Sequence, residues 1–224
     1  EEAARGKADL VVAYHPPLFH PLKRLTQREP AERVLLAAIS AGIAIYSPHT
    51  AVDAAPGGVN DWLADGLGAG LKRSLVLPRA PVVPAEDSAD LQPVIGQGRE
   101  LILKQPVSLA TLVKRIKRHL RLARVRVAAA ARHTLGEPIK TVALCAGAGG
   151  SVIGSSGADL LLTGEMGHHQ VLAEVAASSS VVLCDHTNTE RGYLPVLARR
   201  LEQGLSGEVN VAVSLVDADP LVIT

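Results

Sequence analysis

Short aliphatic runs alternate with amphipathic stretches along this chain. The aliphatic runs predict buried strands, because a strand covered on both faces favours continuous apolar sequence over strict alternation. They lie at 8–13, 43–46, 141–145, 159–162, 181–184 and 209–216. Helical spacing of apolar residues predicts helices at 29–41, 59–67, 167–177 and 192–203. Strands that alternate with helices predict an α/β fold of mostly parallel sheets flanked by helices.

A further helix is predicted just after the middle of the chain. Ser108 is its expected N-cap, and its apolar face comprises Leu109, Leu112, Val113, Ile116 and Leu120. The preceding stretch is rich in Pro, Gly and polar residues, with weak β signals at 94–95 and 101–103. We therefore expect a single domain of two similar halves, 1–74 and 108–224, joined by a short bridge at 75–107.

Histidines and carboxylates stand where several predicted strands end. His15 follows the first strand, Asp53 follows the second, and His186 and Glu190 follow the run at 181–184. Because ligands bind beyond the carboxyl ends of strands in open α/β sheets, we expect these side chains to face one cleft shared by the two halves. Taken singly, each could equally be a hydrogen-bonded loop residue. Their convergence favours a divalent metal site for Zn, Fe, Mn or Ni, and a two-metal centre commonly hydrolyses its substrate.

Other polar residues near the same strand ends have candidate roles around that site. Asp185 is the expected acceptor that orients the His186 ring, and Glu165 is a candidate general acid or base. Residues that could contact the substrate or support the metal ligands are Tyr14, His49, His168, His169 and Arg191. The alternative for all of these is a capping or surface role, and the sequence leaves it open.

Two further patterns are weaker indicators of function. Residues 147–151 (GAGGS) could cradle a phosphate but fit neither established glycine-loop spacing, so a tight turn is the simpler interpretation. Residues 114–126 hold seven Lys or Arg. Because these lie opposite the apolar stripe and no aromatic residues interleave for base stacking, the pattern does not favour nucleic-acid binding.

Composition narrows the protein class. The chain has 224 residues, of which only 2% are aromatic. Its formal net charge is +1, so it has no overall electrostatic attraction for nucleic acid or anionic membranes. Cys145 and Cys184 lie inside predicted strands without ligand spacing, which predicts buried reduced thiols. No apolar run reaches membrane-spanning length. The chain opens at Glu1 inside what reads as the end of a helix, so we expect a missing N-terminal piece.

Several of these segments together resemble the Nif-three-like proteins, a dinuclear-metal family also labelled GTP cyclohydrolase I type 2-like. The resemblance rests on YHPPLFHPLKRLT (14–26), YSPHTAVDAAPGGVNDWLADGLG (46–68), SLATLVKRIKRHL (108–120), LTGEMGHH (162–169) and CDHTNTERGYL (184–194). These segments span most of the chain. Tyr14 before His15 is similar to the animal branch, whereas the bacterial pattern has two adjacent histidines there.

The resemblance implies properties that the residues alone do not establish. It implies a three-layer α/β fold with two facing halves, metal ligation by His15, Asp53, His186 and Glu190, and a homo-oligomer, either a dimer or a hexamer of dimers. It also implies action on a nucleotide-like or phosphorylated molecule, or a non-enzymatic role in transcriptional corepression through a signalosome-type partner in cytoplasm and nucleus. The Tyr14 phenol, with a pKa near 10, is a weaker ligand than imidazole. Hydrolase and adaptor functions therefore both stay open.

Overall fold

The computed structural model describes residues 1–76 and 95–221, which form two compact units. The first unit comprises Glu1–Val52 and Ser214–Ala218, and the second comprises Asp53–Val213 and Asp219–Thr224. Strands and helices occur in both units, which confirms the α/β class. The division into halves 1–74 and 108–224 stays a prediction.

The first unit is built on a two-stranded parallel sheet. β1 (Leu10–Val12) pairs with β2 (Ala44–Tyr46), and α2 (Pro30–Ser40) connects them. Pro30 is well suited to start this helix, because its missing N–H would have no helical partner in the first turn. A short helix, α1 (Glu2–Arg5), precedes β1. The strands and α2 agree with the runs predicted at 8–13, 43–46 and 29–41.

The second unit contains a six-stranded sheet in the order β3-β4-β6-β7-β8-β5. Its strands are β3 (Gly70–Val76), β4 (Gln97–Val107), β5 (Arg126–Ala128), β6 (Ile139–Cys145), β7 (Leu160–Thr163) and β8 (Ser180–Leu183). The pairs β6–β7 and β7–β8 are parallel, whereas β3–β4, β4–β6 and β5–β8 are antiparallel. The sheet is therefore mixed, with its parallel strands next to one another.

Helices accompany these strands along the chain. They are α3 (Thr50–Ala54), which crosses the unit boundary, α4 (Val59–Asp65), α5 (Leu109–Leu120), α6 (Ala131–Thr134), α7 (Gly150–Ile153), α8 (His168–Ala176) and α9 (Leu194–Gly204). Two short 3-10 helices, Thr187–Thr189 and Arg191–Tyr193, precede α9. Ser108 caps α5 as expected, because its side chain accepts the Thr111 N–H. No helix in the part of the chain that the structure describes is both long and apolar enough to span a bilayer.

The core of the second unit covers both faces of its sheet. Val142 and Leu144 of β6 pack on one face with α4 and α5, and Ala143 and Cys145 pack on the other face with Ile153 of α7. Because both faces are covered, each parallel strand contains a run of consecutive apolar residues, as the sequence predicts.

Several segments differ from the sequence prediction. β4 contains the weak β signal predicted at 101–103 but also carries Arg99, a charge typical of a surface position. The strand β3 and the edge strand β5 have no strong apolar run and were not predicted. The strand predicted at 209–216 is wrong, since the structure assigns no strand there. In that segment the Leu215 N–H donates to the Glu2 carboxylate at 3.0 Å instead of to a neighbouring strand. Residues 77–94 of the expected bridge lie outside the described residues.

Candidate metal centre

The segment after β8 brings His186 and Glu190 together. A 3-10 turn over Thr187–Thr189 lies between them, and Nε2 of His186 is 3.3 Å from Oε1 of Glu190. The Thr189 hydroxyl donates to the His186 carbonyl at 2.7 Å, which fixes the turn. The four-residue spacing therefore does place the two side chains together, but through 3-10 rather than α-helical geometry.

The second ring nitrogen of His186 has a different partner from the one expected. Nδ1 lies 3.3 Å from Oε2 of Glu165, which follows β7. Asp185 instead accepts from Arg126 Nη2 at 2.8 Å, so the prediction that Asp185 orients the imidazole is wrong. The reason lies in the backbone, because Asp185 adopts a left-handed conformation with φ of 64°. Within the second unit, His186 thus lies between two carboxylates, Glu165 and Glu190.

A glycine makes the close approach of backbone and ligands feasible. Gly147 follows β6 with φ of +63°, and a Cβ on it would lie 2.6 Å from Glu190 Oε1 and 2.9 Å from His186 Nε2. Any side chain there would enter the space between the two candidate ligands. Sequence reasoning identified the glycine-rich run but assigned no such steric role to Gly147.

The same loop does not form a phosphate cradle. The Gly147 N–H donates to the Thr189 hydroxyl at 2.8 Å, and the Gly149 N–H donates to the Thr163 hydroxyl at 3.0 Å. The first of these hydrogen bonds connects the end of β6 to the 3-10 turn after β8, and the second connects it to the end of β7, so both donors are engaged inside the protein. The geometry supports the tight-turn interpretation of residues 147–151.

Asp53 contributes charge to the centre from the end of α3. Its charge raises the pKa values of both Glu190 and Cys145, which shows that it lies within electrostatic reach of the two side chains. Its backbone carbonyl accepts from the Asn60 side chain at 3.1 Å. Asn60 is fully buried and was not identified from the sequence, since a single Asn at the start of a helix is typical of an ordinary cap.

Glu190 has an unusual protonation equilibrium for a carboxyl group. Its side chain is only 8% exposed, and burial, with further contributions from Asp53 and Glu165, raises its pKa from 4.5 to about 7. His186 and Arg191 act in the opposite direction but do not compensate. Burial is thus the main reason that the ionised form of Glu190 is disfavoured, and the neighbouring carboxylates add to it.

The first unit contains His15, Tyr14 and His49 in one aromatic group. The ring of His15 lies 4.9 Å from that of Tyr14 and 5.4 Å from that of His49. The backbone N–H of His49 donates to the Tyr14 carbonyl at 3.1 Å, so the loops after β1 and β2 are joined. The structure thus brings these three candidates together within their unit, while the assignment of His15 as a metal ligand stays a prediction.

The remaining candidates lie at the periphery. His168 and His169 are exposed at the start of α8 with their rings 5.8 Å apart, and Arg191 is partly buried next to Glu190. In the basic stretch at 114–126, the Arg115 guanidinium donates to the Leu67 carbonyl at 2.6 Å. Cys145 and Cys184 are buried free thiols, as predicted, and burial raises the pKa of each to about 12.

The donor set of the second unit fits a divalent cation. Imidazole nitrogen and carboxylate oxygen are suitable ligands for zinc, iron, manganese and nickel. His186 and Glu190 already have their ligand atoms 3.3 Å apart, and Gly147 leaves the adjacent space clear of side-chain atoms. Glu165, at the other imidazole nitrogen, is the partner that orients a ligating histidine.

Two solved structures with a similar fold come from a bacterium and an archaeon. A Bacillus cereus protein related to NIF3 superposes with a TM-score of 0.78 at 20% identity, covering 100% of this chain and 85% of that one. Reduced HcgD from Methanocaldococcus jannaschii superposes with a TM-score of 0.65 at 21% identity, covering 93% and 74% of the two chains. At these identities the similarity establishes the fold alone.

Sequence comparison extends the likeness to eukaryotic proteins. The chain is 46% identical to Protein NIF3 homolog of Schizosaccharomyces pombe and 38% identical to NIF3-like protein 1 of Rattus norvegicus, in each case over 99% of this chain and 79% of the relative. It is 39% identical to NGG1-interacting factor 3 of Saccharomyces cerevisiae, covering 100% of this chain and 77% of the relative. The family model described as Duf34/NIF3 (NGG1p interacting factor 3) matches residues 1–220. With nearly the whole chain matched in this way, the protein belongs to the Duf34/NIF3 family.

Proposed function

We propose that this chain binds divalent metal ions through His186, Glu190 and Asp53 and uses them to hydrolyse a nucleotide-like or phosphorylated small molecule. His15 is included as a further ligand on the strength of the sequence pattern alone. The observation that carries the proposal is the surroundings of Glu190. This buried carboxyl group lies 3.3 Å from an imidazole and within reach of two more carboxyl groups.

A cation resolves the electrostatic imbalance of such a cluster. Burial and the neighbouring carboxylates make ionised Glu190 unfavourable, as its raised pKa of about 7 reflects. A divalent ion stabilises the ionised carboxylates by direct attraction, and its charge would dominate the local pKa values. The proton on Glu190 would then be lost when the metal binds, so we expect tighter binding at pH values above 7.

The side chains around the site have distinct roles in the proposed hydrolysis. When bound, divalent ions polarise a phosphoryl oxygen and activate water near neutral pH. Glu165 is about half exposed, so its carboxylate can accept a proton from a water at the open side of the site while keeping His186 oriented. Arg191 and the exposed His168 and His169 are the proposed contacts for an anionic substrate.

Elemental analysis of the purified full chain tests metal binding, and GTP turnover tests catalysis. We expect up to two divalent ions per chain and turnover that is lost in the double variant His186→Ala, Glu190→Ala. His15→Ala tests the ligand that comes from the sequence pattern. Equal metal content in the double variant and the wild type would contradict the assignment of these ligands, and equal turnover would contradict the hydrolytic mechanism.

A second candidate function is that of a non-enzymatic adaptor in transcriptional corepression. It is favoured by the name of the budding yeast relative, which describes a factor that interacts with NGG1. In this scheme the metal stiffens the site, and a homo-oligomer in cytoplasm and nucleus presents a surface to a protein partner. A folded, metal-free double variant that still captures NGG1 would favour the adaptor over the hydrolase.

A further inference from the structure

We propose that Asn60 is a positioning residue that holds Asp53 in register with His186 and Glu190. The inference rests on the proposed metal site and concerns residues that do not themselves ligate metal. Asn60 is fully buried near the start of α4, away from solvent competition for its hydrogen bonds.

Both ends of the Asn60 amide are engaged, with two different segments. Its Nδ2 donates to the Asp53 carbonyl at 3.1 Å, and its Oδ1 accepts the Ala146 N–H at 2.9 Å. Asp53 lies in the last turn of α3, and Ala146 directly follows β6. The Asn60 side chain therefore connects the backbone of Asp53, a proposed ligand, to the loop after β6 that lies next to His186 and Glu190.

The connection continues from Ala146 to His186 through buried groups. The neighbouring Gly147 donates its N–H to the Thr189 hydroxyl at 2.8 Å, and that hydroxyl donates to the His186 carbonyl at 2.7 Å. Thr189 is fully buried, like Asn60. A short series of hydrogen bonds thus fixes the backbone at Asp53 relative to the backbone at His186.

A buried ion pair immobilises the segment in which Asp53 lies. Arg99 Nε donates to Asp61 Oδ1 at 2.8 Å, and Arg99 Nη2 lies 3.4 Å from the Ala54 carbonyl. The other Asp61 oxygen accepts the Gly57 N–H at 2.7 Å. The Arg99 side chain is completely inaccessible to solvent. Asp61 therefore fixes the loop between α3 and α4, and Asn60 fixes the distance between the Asp53 backbone and the end of β6.

Asparagine suits this position because it offers a donor and an acceptor on one planar group. Asn60→Asp keeps the volume and the acceptor for Ala146 but replaces the donor with an oxygen that faces the Asp53 carbonyl. Asn60→Ala removes both hydrogen bonds. Outer partners of metal ligands typically change metal affinity by roughly 10–100-fold when they are lost, and we expect that range for both variants.

Ser180 provides a matched control within the same unit. It is fully buried, its hydroxyl accepts the Ala130 N–H at 3.0 Å, and it lies 2.7 Å from His133 Nδ1. It begins β8, at the end of that strand opposite to His186. Ser180→Ala therefore removes a similar pair of buried hydrogen bonds away from the metal site.

The experiment is a Co²⁺ titration of the metal-free full chain, followed by the absorption spectrum of the bound ion, with urea unfolding of each variant. We expect Asn60→Ala and Asn60→Asp to weaken Co²⁺ binding roughly 10–100-fold and to change the absorption bands. Ser180→Ala should lose comparable stability and keep the wild-type affinity and spectrum. If Asn60→Ala does not fold, Asn60→Asp decides the comparison.

The outcomes separate the two proposals. Wild-type affinity and spectrum in the folded Asn60 variants would overturn the positioning role while leaving the metal site intact. Equal weakening in Ser180→Ala would also overturn it, because the effect would then follow stability alone. Failure of the wild-type chain to bind Co²⁺ would overturn the metal site itself, and the positioning role with it.

Discussion

At the two ends of the parallel strands in the second unit, a carboxyl group has its pKa shifted in opposite directions. At the amino ends, Asp159 accepts the N–H groups of Lys140 and Thr141 at 2.8 and 2.9 Å and pairs with Arg132 at 2.7 Å. Burial raises its pKa, but these hydrogen bonds and the guanidinium outweigh burial and lower it overall. At the carboxyl ends, burial and like charges raise the pKa of Glu190 to about 7.

The difference separates a structural carboxylate from one that is suited to bind a cation. The donors around Asp159 stabilise its ionised form, so its charge strengthens the fold. Glu190 has near it an imidazole and two carboxylates, Asp53 and Glu165, and ionisation there opposes folding. A perturbed carboxyl group in a polar cluster is typical of functional sites.

Removing the Glu190 charge should have the largest effect on the metal-free chain. Because the folded pKa of about 7 exceeds the usual 4.5, folding is progressively penalised as the pH rises from about 4.5 to 7 and the penalty is constant above that. This difference between the folded and unfolded pKa values lowers the free energy of unfolding by roughly 3 kcal/mol at pH 8. We expect Glu190→Gln in EDTA to unfold at higher urea concentration than wild type at pH 8.

The same pair of proteins provides its own control at low pH. Below pH 4.5 both native and unfolded Glu190 are protonated, so the advantage of Glu190→Gln should disappear. Saturating Zn²⁺ at pH 8 should reverse the order, because the wild type alone keeps the carboxylate ligand. A metal-free variant that is less stable than wild type at pH 8 would refute the electrostatic account of this end of the sheet.

Two glycines allow a steric comparison of the two ends of the parallel strands. Gly147 and Gly157 have φ of +63° and +72°, but a Cβ on Gly147 would meet Glu190 and His186, whereas a Cβ on Gly157 meets nothing within 4 Å. Left-handed backbone conformation alone should cost either alanine variant about 1–2 kcal/mol in urea unfolding. We expect Gly147→Ala to cost about 1 kcal/mol more and to lose Zn²⁺ affinity at least roughly 10-fold.

Gly157→Ala should retain full Zn²⁺ affinity, since it lies before β7 and away from the ligands. Isothermal titration of both metal-free variants distinguishes the two effects. Equal affinity in both would show that the space beside Gly147 is not where the ion lies.

The smallest effect is expected at the opposite end, from Asp159→Asn. Because the folded pKa of Asp159 lies below its usual value, its ionisation stabilises the fold at neutral pH, and this contribution is lost as the pH falls through the folded pKa. We expect a cost of roughly 1 kcal/mol at pH 7, since solvent weakens the partly exposed pair with Arg132. Urea midpoints of variant and wild type should begin to converge below pH 4 and meet only once the pH is below the folded pKa of Asp159, with Zn²⁺ affinity unchanged at pH 7.

The sequence predicts those features that arise from local pattern. The apolar runs that form β6, β7 and β8 and the spacing of His186 and Glu190 are visible without a structure, because buried strands and short turns are local. Membership of the family was also recognisable from contiguous segments, and the comparisons confirm it.

Features that depend on contacts between distant residues were not predictable in this way. Arg99 looks like a surface residue until its pairing with Asp61, 38 residues away, becomes visible. Glu165 rather than Asp185 contacts His186 because the backbone at Asp185 turns its carboxylate toward Arg126. The aliphatic residues at 209–216 predict a strand, but a strand also needs a hydrogen-bonding neighbour, which the local sequence cannot supply.

The most direct test of the metal centre is isothermal titration of Zn²⁺ into the EDTA-stripped full chain at pH 8. Saturable binding is expected at pH 8, and protons should be released when the titration is repeated at pH 6, because Glu190, with a pKa of about 7, still holds its proton there and ligation displaces it. We also expect that the double variant His186→Ala, Glu190→Ala shows no comparable heat. An absence of Zn²⁺ binding by the wild type, or equal binding by the double variant, would contradict the account.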